Sequence, residues 1–104
     1  MATYNLTIVT PRGEPFKGDV EALTAPGEEG EFGVLAQHAP MIAAVKAGVL
    51  SVTAGDRKQY YALGEGILEV SEGGTVVVLA DAAELQDSEE AAKERAAELN
   101  VHLG

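Results

Sequence analysis

Polar and apolar residues alternate over residues 4–9. Tyr4, Leu6 and Ile8 fall on one side and Asn5 and Thr7 on the other, the period-two signature of a half-buried strand. Pro11 and Gly13 punctuate its end. A second extended segment, residues 16–25, is expected to gather Val20, Ala22 and Thr24 on one face with Asp19 and Glu21 toward water, and Pro26-Gly27 to close it as a turn. Apolar pieces at residues 32–35 and 41–45 follow, and Gly48 opens a strand over 49–54. Gly55-Asp56 predicts a hairpin to residues 58–63, because glycine in the first position supplies the positive φ of a type II′ turn. Residues 67–71 and 75–80 pair across Glu72-Gly73-Gly74, and the unbroken run Val76-Val77-Val78-Leu79 predicts a strand buried on both faces. Short strands at roughly 8–12-residue spacing with turn residues between them indicate an antiparallel sandwich or barrel.

At Asp81 the chain changes from β-branched residues and glycine to alanine, glutamate, lysine and arginine, without glycine or proline before Gly104. This tail reads as helix over residues 88–99. Asp87 and Glu90 resemble a capping box, and Glu89 with Lys93 forms a supporting i,i+4 pair. The apolar stripe of Ala92, Ala96, Leu99 and Leu103 is half small residues, so the helix is expected to pack weakly. The organisation expected is a β-sandwich over residues 1–81 and a helical segment over 82–104.

A chain of 104 residues holds one core, and 46% hydrophobic against 23% charged residues sets wholesale disorder aside. The net charge is −10, with ten acids and five bases in residues 1–80 and seven acids and two bases in residues 81–104. Such a surface repels phosphate backbones and anionic headgroups, which argues against nucleic acid and direct lipid binding and leaves proteins as partners. The absence of cysteine excludes disulfides, thiolate catalysis and sulfur-ligated zinc. No basic stretch followed by an apolar run opens the chain, and no run approaches the roughly 18–20 apolar residues of a membrane span, so a soluble, non-secreted chain is expected. Asn5-Leu6-Thr7 fits a glycosylation pattern that has no use without export.

Candidate chemistry is thin. Gly27, Gly30 and Gly33 recur at intervals of three but match no phosphate-binding pattern, and Glu28, Glu29 and Glu31 would repel an anion there. Carboxylate pairs such as Glu65 and Glu69 carry little information in so acidic a chain. His102 reads as a solvated residue, and with only one other histidine a His-based metal site is not expected. His38 lies in Ala36-Gln37-His38-Ala39-Pro40, whose proline holds the preceding residue extended; it reads either as a cap on backbone groups in an ordered loop or as a partner contact. Ser51, Ser71 and Ser88 lie outside any nucleophile elbow. No catalytic residue, metal or cofactor is expected.

The order of these segments resembles one family over essentially the whole chain. The relevant stretches are Tyr4-Asn5-Leu6-Thr7-Ile8-Val9-Thr10-Pro11, then Ala25-Pro26-Gly27-Glu28-Glu29-Gly30-Glu31-Phe32-Gly33-Val34-Leu35 leading to His38-Ala39-Pro40, and finally Gly64-Glu65-Gly66-Ile67-Leu68-Glu69-Val70 before Val76-Val77-Val78-Leu79-Ala80-Asp81. They resemble the ε subunits of F-type ATP synthases, and the stretch from Glu31 to Pro40 is the most specific. The resemblance implies a mainly β fold with a C-terminal helix, a sandwich of about ten antiparallel strands. It also implies a non-catalytic central-stalk role, bound to subunit γ and seated on the c-ring, coupling proton flow to ATP synthesis. The implied location is peripheral, on the cytoplasmic face of a bacterial plasma membrane or the stromal face of a thylakoid.

Two departures qualify what is carried over. Members commonly end in two helices that reach the catalytic head and restrain hydrolysis, whereas one helix is legible here, so the region is short or truncated. The ATP-binding motif of some bacterial members has an arginine where Glu90 stands in Gln86-Asp87-Ser88-Glu89-Glu90-Ala91, so ATP binding is not expected. Glu31, Phe32 and His38 are the expected partner contacts, with Glu31 and Phe32 projecting outward toward the c-ring. The competing reading is a small acidic ligand-binding sandwich module, which the scarcity of aromatics disfavours.

Overall fold

The computed structural model describes residues 2–101. Ten strands and one helix succeed one another: β1 (Tyr4–Thr10), β2 (Gly13–Val20), β3 (Ala22–Gly27), β4 (Gly30–Leu35), β5 (Met41–Val45), β6 (Gly48–Ala54), β7 (Arg57–Leu63), β8 (Gly66–Val70), β9 (Val76–Ala80), β10 (Ala83–Gln86) and α1 (Glu89–Val101). Hydrogen bonding orders the strands β10-β7-β6-β3-β5-β8-β9-β1-β2, with β4 on the other edge of β3. The step from β3 to β5 is a single pair, Gly27 with Val45, so the sheet folds over there into two layers. One layer is β10-β7-β6-β3-β4 and the other β5-β8-β9-β1-β2.

The core between the layers is the period-two pattern made solid. Leu6, Ile8, Val20, Leu68, Val70, Val76 and Val78 from the second layer meet Leu23, Ala25, Val34, Leu50, Val52, Tyr61 and Leu63 from the first. Phe16 and Tyr61 touch edge to face across the gap, with ring centroids 6.4 Å apart. The Tyr4 hydroxyl donates to the Val34 carbonyl at 2.7 Å, tying β1 to β4. Burial pushes the Tyr4 phenol up to about 12, so it remains a neutral donor throughout the physiological range.

The expected sandwich is there, with several local corrections. Residues 16–25 are not one strand: Glu21 is a bend whose amide donates to the Thr53 carbonyl at 2.8 Å, and the chain passes from one layer to the other at that point. Crossing layers reverses which side is inward, so Val20 is buried but then Leu23 and Ala25 take over from Ala22 and Thr24. Pro26-Gly27 is not a turn but the end of β3; Glu28-Glu29 forms the loop, with Gly27 paired to Gly30. Gly55-Asp56 does join Ala54 to Arg57 as a two-residue loop, and the positive φ at Gly55 alone, +63°, is the type II′ signature.

One pair departs from the antiparallel rule, since β1 runs parallel to β9 from Leu6–Val76 to Val9–Leu79. The change of composition at Asp81 does not coincide with the change of structure, because Ala83–Gln86 pairs with Tyr60 to Leu63 of β7 before the helix begins. The helix cap is Ser88, not Asp87: its Oγ accepts from the Ala91 amide at 3.1 Å, and its carbonyl from the Ala92 amide. Leu103 and His102 lie outside the described residues.

Gly66 is fixed by its neighbours. It faces Ala80 in the β8–β9 ladder, and a Cβ there would overlap the Leu79 carbonyl oxygen. At Gly18 an added Cβ would meet only the Phe16 ring, at an ordinary 3.6 Å. Gly66→Ala is therefore expected to destabilise by at least the about 1–3 kcal/mol of an overpacked core, whereas Gly18→Ala should change stability by less than about 1 kcal/mol. Urea unfolding of the two variants measures the contrast, and equal midpoints would contradict it.

Candidate functional site

Glu31, Phe32 and His38 occupy three different settings. Glu31 is exposed on β4 opposite Pro26, beside the Glu28-Glu29 loop. Phe32 is turned inward, half-buried against the core, with its ring over Gly27, where a Cβ would lie only 2.8 Å from it. The expectation that it projects with Glu31 is corrected by strand geometry, since consecutive side chains point to opposite faces. His38 follows the left-handed Gln37 (φ +67°) in the loop after β4, with Nδ1 2.7 Å from the Ala39 carbonyl oxygen. A carbonyl only accepts, so Nδ1 is the donor in this contact. Glu31 is near the start of β4 and His38 three residues past its end, and the four strand steps from Glu31 to Leu35 span about 13 Å.

A further feature is the outer face of the second layer. Register aligns Ala44, Ile67, Leu79 and Val9 in one row across β5, β8, β9 and β1, and Ile42, Glu69, Val77, Thr7 and Lys17 in the next. Ile42 is 71% exposed, Leu79 44% and Ile67 41%. Large apolar side chains clustered at solvent-facing positions mark an interaction surface. Sequence reasoning passed over it, although the signal was present: the Val76-Val77-Val78-Leu79 run reads as a strand covered twice. In the structure Val76 and Val78 face the core, while Leu79 stands in the open.

The helix lies over β6, β7 and β10. Its buried contacts are the methyl groups of Ala92 and Ala96, as the small-residue stripe predicts. Arg95 is the polar clasp. Its Nε and Nη2 donate to the Glu84 carboxylate on β10 at 2.7 and 3.1 Å, and its Nη1 donates to Glu98 at 2.7 Å. The expected Glu89–Lys93 pair is not among the ion pairs of the described residues. Hydrogen bonding to Arg95 holds the Glu84 carboxyl below its ordinary value against partial desolvation, with smaller help from the charges of Arg95 and Arg12. A cleft of about 870 Å³ beside the clasp is lined by Arg12 and Arg95 and by five carboxylates, including Glu65 and Asp81. No group of three or more metal-ligating side chains occurs among the described residues.

Residues 3–86 match the family described as ATP synthase, Delta/Epsilon chain, beta-sandwich domain. The ATP synthase epsilon chain of Rhodopseudomonas palustris (strain TIE-1) is 48% identical over 83 residues, covering 80% of this chain and 61% of that one. That of Afipia carboxidovorans is 42% identical over 92 residues, covering 88% and 68%. The chain thus spans about three fifths of the length of the Rhodopseudomonas relative. Among solved structures, a chain of the Euglena gracilis mitochondrial ATP synthase, in a structure of OSCP, F1 and c-ring, aligns with a TM-score of 0.77 and 29% identity, covering 82% of this chain and 54% of that chain. A chain from the central stalk and c-ring of the Tetrahymena thermophila mitochondrial enzyme shares the fold, with a TM-score of 0.68 at 14% identity, over 98% and 91%.

Because α1 rests on two alanines and a clasp that is two-fifths exposed, its amides are expected to exchange with solvent faster than those of β9. The Glu84 carboxyl is depressed on folding, so its contribution is complete above the ordinary value of 4.5 and is lost as pH falls through the lower folded value. Protection factors of α1 relative to β9 should therefore drop further below about pH 4, and Arg95→Met should remove that acid dependence. Equal protection of helix and strand at neutral pH would refute the weak attachment.

Proposed function

This chain belongs to the ATP synthase delta/epsilon family, and from that premise we propose that it is a central-stalk subunit of a rotary, proton-translocating F-type ATP synthase, the ε subunit, acting without chemistry of its own. In this role it links subunit γ to the c-ring and helps couple proton flow to ATP synthesis. The observation that carries the reading is the apolar outer face of β5, β8, β9 and β1 on a sandwich whose strands through β10 coincide with the family match. A stalk subunit that must turn with its neighbour needs a broad, dry contact, and this face supplies one. We assign it to γ.

The acidic end of the molecule, where Glu28 and Glu29 form a tight loop and Glu31 follows on β4, suits the polar loops of the c-ring. His38 lies in the loop past the far end of β4 and is assigned to a separate contact. ATP binding is not part of this reading, because Arg95 is already shared between two carboxylates and the adjoining cleft is rich in acids. No helix among the described residues is long and apolar enough to cross a membrane, so the proposed location, the cytoplasmic face of a bacterial plasma membrane, is reached through the complex.

Ile67→Asp and Leu79→Asp place a carboxylate on the proposed γ face without touching the core. Each should weaken capture by a purified catalytic head carrying γ at least about ten-fold. Glu31→Ala should leave that binding intact while lowering proton-driven ATP synthesis in reconstituted vesicles. Undiminished capture of both aspartate variants would overturn the assignment of the face, and full coupling by Glu31→Ala would overturn that of the acidic end.

A further inference from the structure

Among the apolar residues of this face stands a carboxylate. Glu69 lies between Ile42 and Val77 across the strands and two positions from Ile67 on the same side of β8. It is exposed and makes no ion pair among the described residues. The base in its own row, Lys17, is three strands away, about 14 Å at ordinary strand spacing. Glutamate is depleted from the centres of protein interfaces, since covering an unpaired charge with apolar surface strips its water and returns nothing.

We propose, resting on the docking reading above, that Glu69 is the specificity-determining contact of this face and that the partner surface covering it presents a lysine or arginine side chain. A guanidinium is the better match, because its planar fork can satisfy both carboxylate oxygens where water is excluded. The surrounding Ile42, Ile67, Val77 and Leu79 then supply area, and the charge pair fixes register. A surface with the right hydrophobicity but no cation opposite Glu69 is rejected by the stranded carboxylate.

Binding of the whole chain to a purified catalytic head carrying γ, measured at 50 and 500 mM NaCl (about 14 and 4 Å of screening length), tests the idea. Glu69→Gln keeps the shape and removes the charge; it should bind about ten-fold or more weakly at low salt and show a flatter salt dependence than the unaltered chain. Asp56→Asn, on the β6–β7 loop of the other layer, should change neither. Binding of Glu69→Gln as tight as, or tighter than, that of the unaltered chain would overturn the proposal. If Ile67→Asp abolishes binding while Glu69→Gln does not weaken it, the docking face stands and the cationic contact falls. If neither variant matters, both readings fall.

Discussion

The fold depends on one constraint, the crossing of a single continuous sheet from one layer to the other at Gly27. Only one residue pair joins β3 to β5, flanked by backbone bonds from Lys46 to Pro26 at 2.9 Å and from Glu28 to Ala44 at 3.2 Å. Gly27 has the Gly30 carbonyl and the Phe32 ring within 2.8 Å of where a Cβ would stand, and Gly48 has the Pro26 side chain at 2.7 Å. The corner is therefore closed to side chains. Once it is made, the inward residues of both layers face each other, and the Tyr4–Val34 hydrogen bond draws β4 and β1 together on the far side. Outward from that core stand an acidic tip at Glu28 to Glu31 and an apolar face on the second layer.

Most strands were legible in the sequence because each has one dry and one wet side, and the pattern of alternation registers that directly. The glycines between them were legible for a conformational reason, as at Gly55. The failures share a cause. Pattern reading assumes that a segment keeps the same side inward along its length, which breaks at Glu21, where the chain changes layers. It also assumes that apolar residues in the outward phase are covered by the chain itself. Leu79 breaks that assumption. Of the candidate site, the specific stretch from Glu31 to Pro40 was visible as a resemblance, but the separation of Glu31 from His38 and the inward turn of Phe32 needed the register of β4. The rows that gather Ile42, Ile67, Leu79 and Val9 come from four strands distant in sequence, so no local window contains them.

The helix shows a different balance. Its sequence is well suited to helix formation and poorly suited to packing, so Ala92 and Ala96 give a close but shallow seat, and Arg95 shares its charge between β10 and its own next turn. Attachment through small residues and an exposed ion pair sets position while contributing little depth to the energy. The sandwich, by contrast, owes nothing to the helix for its core, which is complete without any residue beyond Ala83.

The parallel pairing of β1 with β9 also has a consequence for the order of events during synthesis. The first strand ends at Thr10 and its central partner ends at Ala80, about seventy residues later in the chain. At about 5–20 residues per second, the ribosome takes roughly 4–14 s to deliver the second after the first. Through that interval β1 can form its hairpin with β2, but Leu6 and Ile8 have only half their eventual neighbours. Pairing across so long a stretch of chain makes completion of the second layer a slow step relative to the local hairpins.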